Sequence, residues 1–230
     1  MKRFILFFLA MIMILPLSAC GGADLYKDYW MLSDGSQNSE NDHLLNQAIS
    51  DGAAFQFTKE GDIRMHIGSS VYEGKAIITD LGKGKYLYDS DFQYLNGKLN
   101  FDIKKDTMTV YRDYETPEEG QTFIRVEKPD YELKPSSFRQ VDDNLTGYWY
   151  SDIYLDSYEF FEDGTAVYNI DQSMVYGYKF TVDYVYSAQD GVLNLSYHDG
   201  TAVTQYPEQY YTISDDILYI GENMYYRTEK

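Results

Sequence analysis

Apolar and polar residues alternate in short runs along most of this chain, and turn residues punctuate the runs. Leu99, Phe101 and Ile103 share one face, with Asn100, Asp102 and Lys104 on the other. Leu193, Leu195 and Tyr197 repeat the arrangement against Asn194, Ser196 and His198. This period of two is that of half-buried strands. Tyr158 and Phe160 alternate with Glu159 and Phe161, and Asp163-Gly164 then supplies a tight turn, since glycine accepts positive φ and aspartate bonds its own backbone. Ile217–Ile220 and Met224–Arg227 read as a hairpin joined by Gly221-Glu222-Asn223. About six to eight strands are expected in each half of the chain. One segment departs from the pattern. Leu44, Leu45, Ala48 and Ile49 fall on one helical face behind a capping-box-like Ser39 and Asp42, which predicts a short helix over 39–49.

The two halves echo each other at their ends. Leu25–Trp30 and Asn144–Trp149 both finish in Tyr-Trp, with Asp28 where the second copy has Gly147. Phe55-Gln-Phe57 answers Tyr158-Glu-Phe160, and Phe123–Lys128 answers Tyr225–Lys230. In the middle, Gly97–Phe101 matches Gly191–Leu195, with other registers open. Pro129–Asp143 contains two prolines and reads as a linker. The expected organisation is a signal segment over 1–19, a tether over 20–23, a first β domain over 24–128, the linker over 129–143 and a second β domain over 144–230.

The N-terminus sets the compartment. Lys2-Arg3 precedes an unbroken apolar run of 12 residues, Phe4–Leu15. That is the length of a signal-peptide core and short of the ~20 residues a membrane span needs. Leu17-Ser18-Ala19-Cys20 follows and resembles the lipobox of bacterial lipoproteins at every position. The resemblance implies cleavage between Ala19 and Cys20, a diacylglyceryl group on the Cys20 thiol and an acylated new N-terminus. Two such acyl chains anchor firmly where one does not. It places the protein on the extracytoplasmic face of the cell membrane, held by lipid, with the first domain next to the bilayer and the second beyond the linker. Cys20 is the one cysteine, so no intrachain disulfide forms.

The second half also resembles the lipocalin-like domains of secreted proteins and lipoproteins of Gram-positive bacteria. Leu145-Thr-Gly-Tyr-Trp149, Tyr158-x-Phe160-x-x-Asp163-Gly164-Thr165 and Tyr225-x-Arg227 carry the likeness, which extends weakly to 25–128. It implies small antiparallel barrels in tandem, with Trp149 closing one end against Arg227 from the last strand.

Charge and chemistry narrow the function. A formal charge of −18 excludes nucleic acid, whose phosphates need a basic patch. His43, His66 and His198 lack the partners of a zinc site and read as surface residues, His66 pointing outward opposite Met65. Asp89-Ser-Asp91 and Asp142-Asp143-Asn144 do not continue into a calcium loop and read as turns. No nucleophile elbow, phosphate loop or dinucleotide fingerprint is present, so neither catalysis nor a cofactor is expected. Residues 144–230 hold 16 of the 25 tyrosines, and 14 acids against 3 bases. Tyr150, Tyr154, Tyr206 and Tyr210 lie off the buried alternation, and a Tyr/Asp surface suits a glycan, a cationic peptide or a basic protein patch. The expected function is a non-catalytic binding module; the alternative is a carrier of a lipid or small apolar ligand within a barrel.

Overall fold

The computed structural model describes residues 24–33, 52–131, 133–135 and 140–229. The signal segment, Ala19, Cys20, His43 and the helix expected over 39–49 lie outside the described residues. The protein is all-β. Its first nine strands are Tyr29–Leu32 (β1), Ala54–Phe57 (β2), Asp62–Ile67 (β3), Ser70–Lys75 (β4), Ile77–Gly82 (β5), Lys85–Ser90 (β6), Gly97–Lys104 (β7), Thr107–Arg112 (β8) and Gln121–Val126 (β9). The next nine are Gly147–Ser151 (β10), Asp156–Phe160 (β11), Thr165–Asp171 (β12), Lys179–Gln189 (β13), Val192–His198 (β14), Val203–Gln205 (β15), Gln209–Ser214 (β16), Ile217–Ile220 (β17) and Asn223–Arg227 (β18). Each half thus has nine described strands, more than the six to eight expected. A single helical turn, Ser173–Tyr176 (α1), interrupts the path from β12 to β13.

Eight antiparallel strands close into a barrel. β10, β11, β12, β13, β14, β16, β17 and β18 pair in that order, and β18 returns to β10. The other strands lie outside this ring. β15 pairs with β14. β1 is hydrogen-bonded on both sides, to β2 and to β9, with β3 and β4 continuing from β2, and β8, β7, β6 and β5 continuing from β9.

The alternation predicts the core well. Leu99, Phe101, Ile103, Phe160, Leu193 and Leu195 are all buried. The buried apolar residues form two clusters, one drawn from residues 25–123 around Trp30, Phe55 and Phe101, the other from residues 145–225 around Trp149, Phe160 and Leu218. Each large side chain so buried contributes about 1.5–3 kcal/mol. The turns also follow local chemistry. Asp163 Oδ1 accepts from the Thr165 N–H at 2.9 Å, and the β17–β18 hairpin turns on two residues, Gly221 and Glu222, because Ile220 pairs with Asn223.

The halves share one sheet. β4 pairs antiparallel with the first residues of β13: Glu73 faces Lys179, Tyr72 faces Phe180, Val71 faces Thr181 and Ser70 faces Val182. β13 joins β14 only from Val185 onward. Ser69 bridges the gap, its N–H donating to His198 O at 2.8 Å and its carbonyl accepting from the Asp183 N–H at 3.0 Å. The approach is so close that a Cβ on Gly68, whose φ is +56°, would lie 1.8 Å from His198 O. The segment read as a linker packs back on both halves. The Tyr131 hydroxyl donates to Gly52 O at 3.0 Å, and Gln140 O accepts from the Ala188 N–H at 2.8 Å. The two halves are therefore joined side by side through a sheet edge.

Candidate functional site

The ring has two unlike ends. At one, Trp149 is fully buried, its Nε1–H donating to Leu145 O at 2.7 Å. Trp149 pairs across the sheet with Arg227, whose guanidinium carbon stands 4.2 Å from the indole centroid. The same guanidinium donates to Thr146 O at 2.8 Å and to Asn144 O, tying the entering chain to the last strand. Gly147 has φ +128°, and a Cβ there would sit 3.0 Å from Arg227 Nη1. This end is plugged.

The opposite end is built of tyrosines around a carboxylate. Asp156, the first residue of β11, is only 5% exposed, and Ser151, its cross-strand partner on β10, is 0% exposed. Asp156 Oδ2 accepts from the Tyr168 hydroxyl at 2.7 Å and the Tyr225 hydroxyl at 3.2 Å. Asp156 Oδ1 and Ser151 Oγ are both buried and have no hydrogen-bond partner among the described residues. The Tyr158 ring lies 4.6 Å from Tyr168 and 5.4 Å from Tyr225, centroid to centroid. Burial pushes the Asp156 carboxyl above the usual carboxylate range, opposed by the hydrogen bonds from Tyr168, Tyr225 and its own backbone N–H. Burial also pushes the Tyr158, Tyr168 and Tyr225 phenols well above theirs. A carboxyl ringed by phenols that stay protonated at neutral pH is a poor acid–base pair. It is a good receptor for a hydrogen-bond donor.

The first half lends this end more aromatic wall. Tyr72 on β4 lies tilted against Phe180 at 4.5 Å and meets Tyr94 edge-on at 4.8 Å. Tyr184, Tyr197 and Tyr206 form a further triangle with centroid separations of 5.8–6.3 Å. Around the rim, the β10–β11 turn is tied to the end of β12, just before α1, by the Asp171 N–H to Leu155 O bond at 3.1 Å. These loops present Ile153, Tyr154, Met174 and Val175 to solvent, Met174 at 96% exposure.

Of the four tyrosines singled out in the sequence, two come to this mouth. Tyr154 lies in the turn above Tyr225 and within its electrostatic reach, and Tyr206 sits beside Tyr184 and Tyr197. Tyr150 instead lies on the outer face between Trp149 and Ser151, paired with Tyr226, and Tyr210 is 71% exposed on β16. Asp156 and Ser151 went unrecognised. The signal was present for Asp156, which stands two residues before Tyr158 and four before Phe160 and so shares their inward face.

The other polar candidates have structural work. Asp142 accepts from the Tyr211 hydroxyl at 2.7 Å and from the Asn144 N–H at 2.9 Å. His198 accepts the Gly200 N–H on Nδ1 at 3.1 Å. His66 does point away from Met65, but the second half and the segment over 128–134 cover it in a cleft of about 650 Å³ lined also by Val71, Tyr131 and Asp183. Burial, reinforced by Lys128 and Arg64, lowers its pKa from 6.5 to about 4, so it is neutral at physiological pH. Among the described residues no group of three or more His, Cys, Asp or Glu converges as a metal site, and no helix is long and apolar enough to cross a membrane.

Comparison with protein-family models, with curated proteins and with solved structures returns no match for this chain.

Proposed function

We propose that this protein is a lipid-anchored, extracytoplasmic, non-catalytic binding module made of two lipocalin-like barrels in tandem, the first with its fourth strand turned outward onto the second. The lipobox at Leu17–Cys20 supports the anchor. The recurrence of one Trp–Arg plug supports two barrels: Arg125 stands over Trp30 at 5.2 Å as Arg227 stands over Trp149. The observation that carries binding is the mouth of the closed ring, where a buried carboxylate with an unpartnered oxygen is held among Tyr158, Tyr168 and Tyr225 beneath an aromatic and apolar rim. The partner fitting such a surface is an extracellular glycan, cationic peptide or protein. Carriage of a lipid inside the ring has less support, because Trp149, Phe160, Tyr186, Leu193, Leu195, Leu218 and Ile220 fill the interior.

The test uses the full mature chain, lipidated, to capture partners from the cell-surface fraction. Tyr154→Ala with Tyr206→Ala removes the mouth tyrosines; Tyr150→Ala with Tyr210→Ala removes the outer-wall pair. Loss of capture with the first pair alone is the expected result. Loss with the second pair alone moves recognition to the outer wall. Separately, Cys20→Ala is expected to leave unprocessed precursor and release from the membrane; normal processing and retention would overturn the anchor.

A further inference from the structure

We infer that the mouth of the closed ring is a receptor for an ammonium group, held between Asp156 Oδ1 and Ser151 Oγ against the face of Tyr158. The inference rests on the binding reading above and names the chemistry of the guest. Both acceptors are more than nine-tenths buried, lie on paired residues of adjacent strands, and have no hydrogen-bond donor among the described residues. A buried carboxylate oxygen left without a donor is costly, of the order of a charged group's desolvation. The protein has nonetheless placed two tyrosine hydroxyls on Oδ2 and none on Oδ1. What is missing at Oδ1 is a donor, and the best donor for a carboxylate in a dry site is a cation.

The surroundings select the kind of cation. Three tyrosine rings, Tyr158, Tyr168 and Tyr225, stand around the carboxylate, and aromatic faces attract ammonium groups within about 6 Å. No other acid shares the site among the described partners of Asp156, so a divalent metal, which wants several oxygen ligands, is poorly served. An alkyl substituent on the nitrogen would leave along the rim formed by Ile153, Tyr154, Met174 and Val175, where exposed apolar surface is otherwise unpartnered. A guest with a primary ammonium head and a short aliphatic stem matches all three features. The source of such a head is a free amine or the headgroup of an aminophospholipid, and the chemistry at Asp156 is the same for both.

The experiment is a calorimetric titration of the full mature chain with butylammonium, using butanol as the neutral isostere, at two salt concentrations. Asp156→Asn keeps the shape and removes the charge. Glu208→Gln removes one charge from an exposed position, and Ser151→Ala removes the second acceptor. Near-ultraviolet circular dichroism of each variant checks that the tyrosine packing is intact. The expected result is saturable butylammonium binding to the wild type and to Glu208→Gln. It should weaken at least tenfold in Asp156→Asn and severalfold in Ser151→Ala, with no butanol binding. Flotation of the mature chain prepared without its acyl groups, with vesicles containing phosphatidylethanolamine against vesicles of phosphatidylcholine alone, assigns the source: Asp156-dependent retention on the former makes the headgroup the guest, and its absence beside butylammonium binding makes the guest a free amine. Equal binding to wild type and Asp156→Asn, or binding abolished by salt in both, means general attraction to an acidic surface and overturns the inference. So does the absence of saturation by butylammonium, in which case the two orphan oxygens hold water alone. Capture of a surface partner that survives Asp156→Asn leaves the binding-module reading standing without this guest.

Discussion

The plugs of the two halves solve one problem with different neighbours. In both, a tryptophan is buried with its indole N–H on a leucine carbonyl, Leu25 O at 3.1 Å for Trp30 and Leu145 O at 2.7 Å for Trp149. In both, an arginine from the last strand of the half pairs with that tryptophan and stands over its ring, its N–H donating to an aspartate carbonyl, Asp106 O for Arg125 and Asp216 O for Arg227. The remaining valences differ. Arg227 is held by the backbone carbonyls of Asn144 and Thr146, reached because Gly147 leaves room. Arg125 instead meets the carboxylate of Asp28 at 3.3 Å, at the position equivalent to Gly147. The constraint is a guanidinium fixed over an indole; either backbone dipoles or a side-chain charge can fix it.

The largest effect expected from breaking this pair is at the indoles. Trp149→Ala and Trp30→Ala should each cost about 3–5 kcal/mol, the range for truncating a core aromatic. Urea midpoints measure this, and a midpoint near wild type for either would show that its half does not depend on its plug. Next is the contact between the halves. Gly68→Ala should cost about 2–4 kcal/mol, because overpacking against His198 O adds to the strain of a positive φ. Gly82→Ala, with φ +78° and nothing within 4 Å of its Cβ, isolates the strain alone and should cost less. Equal costs would mean that the halves yield freely at their junction.

Exchanging the two arginine solutions tests the comparison directly. Asp28→Gly gives the first half the second half's residue and should cost about 1 kcal/mol or less, the worth of a partly exposed ion pair. Gly147→Asp should cost more, about 1–3 kcal/mol, since it forces a side chain onto φ +128° against Arg227. If the two exchanges were equal, thermal denaturation would show the plugs to be interchangeable.

The smallest effect is one of pH. His66 has a folded-state pKa of about 4 against 6.5 unfolded, so between those values the unfolded chain binds the extra proton. Its contribution to stability is complete above about pH 6.5 and is lost as pH falls through about 4. His66→Gln should flatten the part of the melting-temperature profile between pH 6.5 and 4. An unchanged profile would place His66 in water.

Much of this was legible from short-range pattern. Alternation located the inward faces of β7, β11 and β14, turn chemistry located the Asp163-Gly164 turn and, one residue too long, the β17–β18 hairpin turn, and the matched ends set Trp30 and Trp149 at equivalent places. Three features were not. β5 exposes Ile77 and Leu81, β6 hides its alternation behind an exposed Leu87 between the buried Tyr86 and Tyr88, and β15 has three residues, so none shows in the sequence the polar–apolar alternation that reveals a strand. The likeness of Gly97–Phe101 to Gly191–Leu195 misleads, because β7 is the seventh strand of its half and β14 the fifth of its own. The turn bearing Lys105 and Asp106 instead matches the turn bearing Asp215 and Asp216, which makes β16 the counterpart of β7. The pairing of β4 with β13 joins residues more than a hundred positions apart and leaves no local trace. The mouth is hidden for the same reason: Tyr158 and Phe160 have the pattern of core residues, and nothing local marks their neighbour Asp156, whose partners Tyr168 and Tyr225 are brought to it only by the fold.

The β4–β13 junction carries a symmetry of its own. Both are the fourth strand of their half, and counting outward from the plugs makes Tyr72 the counterpart of Val182 and Ser70 the counterpart of Phe180. The observed pairs are Tyr72 with Phe180 and Ser70 with Val182, each converted into the other by exchanging the halves. Val71 and Thr181 therefore sit on a local two-fold axis, the isologous geometry of a homodimer realised within one chain. An antiparallel junction of equivalent strands turns the two halves end for end. Asp24 enters beside the Trp30 plug, so the tyrosine-lined mouth of the closed ring faces the same side as the entering chain. With an anchor at Cys20, four positions before Asp24, that mouth would look toward the bilayer, and its guests would be drawn from the layer next to the lipid rather than from the open medium.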